Sequence, residues 1–213
     1  MSSKVLSPAE IMTVSPIIPV IEISEVSQAI DLANALIDGG IKVLEITLRT
    51  AAALDSISLL AKEVPEAVLG AGTVLTPQDL ERVRDAGAIF AISPGCTDRL
   101  LQSAKDIDFP LIPGVSTGSE VMQGLDLGYT HFKLFPATSV GGIPLLKSFS
   151  GPFQQAKFCP TGGINEANYL DFLALDNVLC AGGSWVAPTK LVNSGDFDEI
   201  TALTKSALAK FNQ

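Results

Sequence analysis

Short apolar runs alternate along this chain with longer stretches in which apolar residues recur every three or four positions. The first pattern suits strands buried on both faces, and the second suits helices with one apolar side. Residues 16–21, 41–47, 67–71, 88–92 and 110–113 read as five strands, with 130–136, 157–160 and 178–181 as three more. Helices are predicted between and after them. The first spans 25–37, where Val26, Ala29, Ile30, Ala33 and Ile37 share a face, with Ser24 as its cap and Gly39-Gly40 at its end. The others span 51–63, 76–87, 97–105, 116–127, 140–149, 165–175 and 197–211. A short leading helix is expected at Ser7-Pro8-Ala9-Glu10, which offers a cap, a proline in the first turn and a glutamate three residues after the cap.

Eight strand–helix units predict an α/β protein of the (β/α)₈ TIM-barrel class, one domain over residues 1–213 with a short N-terminal helix. The rival is an open doubly wound sheet. Against it stand the count of eight and the lack of a G-x-G-x-x-G turn after the first strand.

Charge and composition narrow the function. The net charge is −9, and no run of lysines or arginines offers a nucleic-acid surface. Hydrophobic residues make up 47% of the chain, yet no apolar run approaches the ~18 residues a membrane helix needs. The first residues lack the order of a secretion signal, so a cytoplasmic protein is expected. Cys96, Cys159 and Cys180 are odd in number and lack metal-type spacing, which predicts reduced core thiols. His131 is the single histidine, which argues against a multi-histidine metal centre and reads as a structural strand residue. No metal and no cofactor are expected.

The chemistry concentrates at the ends of strands. The run Thr130-His131-Phe132-Lys133-Leu134-Phe135-Pro136 is a buried-strand pattern with a lysine in its middle. Burial disfavours an ammonium, and a neutral lysine amine is a nucleophile able to form a Schiff base with a ketone. The plainer reading is that Lys133 reaches solvent or pairs with a carboxylate. Strand alternation sorts the other polar residues: Val43, Glu45, Thr47 and Arg49 share a face, as do His131, Lys133 and Phe135. If those faces point inward, Glu45 and Arg49 enter the barrel mouth opposite Lys133, unless they merely satisfy each other. Thr73 follows a glycine-rich strand end, and Thr161-Gly162-Gly163 and Gly182-Gly183-Ser184 follow the seventh and eighth strands. Barrels frequently bind phosphate at those two turns, although a lone glycine pair is commonly only a tight turn.

Taken together, LEITLRT (44–50), GAGTVL (70–75), AISPG (91–95), FKLFPA (132–137), FCPTGGI (158–164) and AGGSW (181–185) resemble the bacterial 2-keto-3-deoxy-6-phosphogluconate aldolases, which also act on 4-hydroxy-2-oxoglutarate. The resemblance runs nearly end to end. It implies a (β/α)₈ barrel, a metal-free homotrimer and the aldol cleavage of a phosphorylated 2-keto acid that ends the Entner-Doudoroff route. On its terms Lys133 is the Schiff-base lysine, Glu45 the acid/base and Arg49 the carboxylate clamp. Thr73 and Thr161 hold the pyruvyl part, Pro94 and Phe135 line the pocket, and Gly162, Gly163, Gly183 and Ser184 bind phosphate. Thr138 departs from the acidic residue that often follows Phe-Pro-Ala, which leaves substrate preference open. The alternatives are an aldolase for the galactonate epimer and, in another class, a phosphate-binding barrel isomerase or epimerase.

Overall fold

A computed structural model of the chain describes residues 6–212. Residues 1–5, on which the leader reading partly rests, lie outside the described residues. The elements in order are α1 (Pro8–Thr13), β1 (Ile17–Ile21), a 3₁₀ turn (Val26–Gln28), α2 (Ala29–Asp38), β2 (Val43–Thr47), α3 (Ala53–Glu63), β3 (Val68–Gly72), α4 (Pro77–Asp85), β4 (Phe90–Ile92) and α5 (Asp98–Asp106). They continue with β5 (Leu111–Ile112), β6 (Gly114–Val115), α6 (Gly118–Asp126), β7 (His131–Leu134), α7 (Gly142–Ser150), β8 (Lys157–Pro160), α8 (Tyr169–Leu173), β9 (Ala181–Gly183), α9 (Thr189–Ser194) and α10 (Phe197–Phe211).

Every strand pairing is parallel, in the orders β5-β4-β3-β2-β1-β9 and β6-β7-β8. The two runs join at both ends. Pro113 separates β5 from β6, but its carbonyl still accepts the Lys133 amide at 2.9 Å, so the two segments act as one stave. On the other side, bridges Phe158↔Val178 and Thr161↔Gly182 tie β8 to the last stave. Among the described residues, nine short strands in eight staves thus form the predicted (β/α)₈ barrel.

Side-chain alternation follows the expected parity. Phe132 points out of the barrel into the helical layer, where its ring fills the space a Cβ on Gly124 of α6 would need. Its neighbour Lys133 therefore points in. Phe132, Phe158 and Phe149 form a chain of rings with centroids 6.0 and 5.9 Å apart, sealing β7 and β8 beneath α7.

Several local expectations need correction. Ser24 does not cap α2; the helix enters through the 3₁₀ turn with no side-chain cap, while Gln28 spends its amide on the Val192 carbonyl at 3.0 Å. The helix expected at 165–175 shrinks to α8, because the Asn165 and Asn168 side chains accept backbone N–H groups and close a turn instead. The last strand lies at Ala181–Gly183, not 178–181, and β3 runs on to Gly72, one residue past its expected end. Glycine has low strand propensity, so the pattern ends both strands before Gly72 and Gly182-Gly183; tertiary packing overrides that preference. Helix α9 was not anticipated. Cys159 and Cys180 are buried free thiols as expected, but Cys96 is only half-buried. Burial, then Glu120 and Asp98, push the Cys96 thiol up to about 11.

Candidate active site

Glu45 sits at the centre of β2 and Lys133 in β7, on opposite staves of the barrel. Their side chains meet across the interior, with Lys133 Nζ 3.1 Å from Glu45 Oε1 and side-chain exposures of only 5% and 1%. Such a contact needs room, and Gly72 provides it: a Cβ there would fall on the Glu45 carboxylate. Both alternatives open at the level of sequence hold in part. The lysine is buried, and it is paired with a carboxylate. Removing one member of a buried pair typically costs about 3–5 kcal/mol because the other charge is stranded. The Phe135 ring centroid lies 5.3 Å from the same Nζ, within cation–π range.

Arg49 lies in the turn after β2 rather than within the strand, and its side chain is 43% exposed. Its Nε donates to Thr73 Oγ1 at 3.3 Å and its Nη1 to Glu22 Oε1 at 3.4 Å. Thr73 adopts φ 58°, a left-handed conformation that a β-branched residue rarely takes. That strain falls immediately after β3, where the hydroxyl meets Arg49. Strained backbone of this kind clusters at functional sites.

A cavity of about 260 Å³ opens at the C-terminal ends of the strands. Arg49, Phe135 and Thr161 line one part of it, and Gly162, Gly163, Gly183 and Ser184 line another. Gly162 and Gly163 have φ of 97° and 77°, which only glycine adopts freely, and Thr138 packs where a Cβ on Gly163 would stand. Thr138 also donates its backbone and hydroxyl to the Gly162 carbonyl at 3.1 and 3.3 Å. The one departure noted in the motif therefore braces the turn.

The expected residues are not all in one shell. Lys133 and Glu45 are buried and do not line this cavity, and Thr73 joins it only through Arg49. Pro94 is absent from the lining; its backbone packs instead where a Cβ on Gly114 would stand. A larger cavity, about 630 Å³, opens at the opposite ends of the strands and includes His131. It contains neither the Lys133–Glu45 pair nor the glycine turns, and barrel chemistry is sited at the C-terminal face. His131 is held below its ordinary pKa by burial and then by Lys157. Among the described residues no cluster of three or more His, Cys, Asp or Glu side chains could hold a metal ion.

The family model for KDPG and KHG aldolase matches residues 9–203. The chain belongs to this aldolase family. It is 53% identical over 202 residues to the KHG/KDPG aldolase of Escherichia coli K12, covering 95% of each chain. It is 52% identical to the 2-dehydro-3-deoxy-phosphogluconate aldolase of Dickeya dadantii, again over 95% of each. Among solved structures, the KDPG aldolase of Legionella pneumophila is 50% identical, with a TM-score of 0.94 and coverage of 95% and 98%. That crystal structure holds pyruvate captured at low pH as a covalent carbinolamine intermediate.

Sequence reasoning missed four residues that line this cavity: Val20, Glu22, Ile164 and Thr189. The signal for two was present. The parity argument applied to β2 works equally on β1, where Val20 pairs in register with Glu45, so Glu22 two residues on shares its inward face.

Proposed function

We propose that this chain is a Schiff-base aldolase in which Lys133 and Glu45 cleave 2-keto-3-deoxy-6-phosphogluconate to pyruvate and glyceraldehyde 3-phosphate. The same site accepts 4-hydroxy-2-oxoglutarate, giving pyruvate and glyoxylate. The observation that carries the reading is the buried Lys133–Glu45 contact of 3.1 Å, beside a cavity that offers a guanidinium and two glycine turns. The pyruvate carbinolamine held by the Legionella relative is the species expected when such a lysine meets a ketone.

Glu45 takes a proton from the Lys133 ammonium, the freed Nζ attacks the C2 ketone, and a proton passes from the nitrogen to the new alkoxide to give the carbinolamine. Glu45 then returns the proton to the departing hydroxyl, and water leaves to give the iminium. As carboxylate, Glu45 next removes the C4 hydroxyl proton. The C3–C4 bond breaks, its electrons pass into the iminium, and the aldehyde departs. The enamine is protonated at C3, and water hydrolyses the imine to pyruvate and free Lys133. Arg49, steadied by Thr73, grips the C1 carboxylate with its fork. Thr161 and Phe135 hold the pyruvyl part, and Pro94 braces the wall behind it. The distal phosphate rests on Gly162, Gly163, Gly183 and Ser184.

The family resemblance adds a homotrimer to the single domain over residues 1–213 and the cytoplasmic setting read from the sequence; sedimentation tests the assembly and cell fractionation the location. The aldolase reading itself is tested by coupled pyruvate release from both substrates with EDTA present. Turnover of at least one is expected, undiminished by the chelator; turnover of neither contradicts it. An epimerase using Glu45 alone would keep its activity in Lys133→Met, whereas the aldolase loses it.

A further inference from the structure

Glu22 places a carboxylate where the ligand must be an anion. It follows β1 and lines the same cavity as Arg49, Gly163 and Ser184, with its side chain 33% exposed. Both oxygens are held, Oε1 by Arg49 Nη1 at 3.4 Å and Oε2 by Thr189 Oγ1 at 3.3 Å. The contacts come from opposite directions, one from the turn after β2 and one from the first residue of α9. The carboxylate cannot swing away without losing a partner.

Two consequences follow. Glu22 occupies part of the guanidinium that a substrate C1 carboxylate needs, an effect equal for every 2-keto acid. It also repels whatever anion settles on the glycine turns beside it, an effect that grows with that anion's charge. We propose that Glu22 is a specificity determinant that ranks 2-keto-4-hydroxy acids by the charge at their far end, disfavouring a phosphate dianion relative to a single carboxylate. Thr189 is the positioning residue that fixes it. The inference rests on the aldolase reading, since it assumes substrate spans from Arg49 to the glycine turns.

The ratio of kcat/KM for the phosphorylated substrate to that for 4-hydroxy-2-oxoglutarate isolates the second effect, because the Arg49 competition cancels. Glu22→Gln keeps the shape and removes the charge. At about 50 mM salt it should raise this ratio about fivefold over wild type, the size of a partly screened like-charge repulsion. At about 1 M salt, where screening acts over roughly 3 Å, most of the difference should vanish. Thr189→Val, which only loosens the carboxylate, should shift the ratio the same way by about twofold. A packing role would not respond to salt. A ratio within about 1.5-fold of wild type in both variants, or a shift indifferent to salt, overturns the proposal. Wild type that releases pyruvate from neither substrate fails the aldolase reading first, and the two failures are thereby distinguished.

Discussion

Gly72→Ala adds one methyl group at the point where β3 faces the Lys133–Glu45 pair. The new Cβ would stand 2.8 Å from both Cγ and Cδ of Glu45, and closer still to its carboxylate oxygen. Carbon atoms pack at about 3.5–4.0 Å, so one side must give by about 1 Å. Glu45 is 1% exposed and has no solvent to retreat into. The β2–β3 ladder also resists, because Gly72 is paired in register with Thr47. The carboxylate should therefore shift off Lys133. Overpacking of this kind costs about 1–3 kcal/mol of stability, and a displacement of 1 Å at a reacting group costs about 100-fold in rate. The assay is pyruvate release for kcat/KM, with thermal unfolding measured alongside. A folded Gly72→Ala protein with kcat/KM within threefold of wild type would refute the argument that this glycine exists to seat Glu45.

Other consequences can be checked separately. Arg49→Lys keeps the charge but loses the fork, so KM should rise about tenfold for phosphorylated and unphosphorylated substrates alike; an unchanged KM would remove Arg49 from carboxylate binding. His131 is less easily protonated in the folded chain than in the unfolded one, because of burial and Lys157. The unfolded chain thus binds more protons between the lowered value and about 6.5, and this contribution to stability is full above that range and lost as pH falls through it. His131→Asn should flatten the corresponding slope of melting temperature against pH, and an unaltered slope would contradict the assignment.

The barrel was legible because its staves are apolar runs separated by amphipathic helices, and β7 carries its lysine on a strand whose neighbours show its direction. The parity that sent Lys133 and Glu45 inward needed only an alternation of two. What stayed hidden depends on contacts between distant segments. Gly182 belongs to a strand because its bridge partner Thr161 packs where a Cβ would stand. Thr189 becomes a cavity residue only once α9, six residues long and without a side-chain cap, folds back beside β1. Arg49 was placed on a strand face, but the chain turns before reaching it, and its position is set by Thr73 and Glu22. Local pattern carries no information on such partners.

The central claim is that a ketone becomes covalently joined to Lys133. Incubating the protein with pyruvate and sodium borohydride, then mapping peptides by mass spectrometry, tests it directly. The account predicts one stable adduct on the peptide containing Lys133, formed only when pyruvate is present and absent from Lys133→Met. No adduct, or one carried by another lysine, would contradict it.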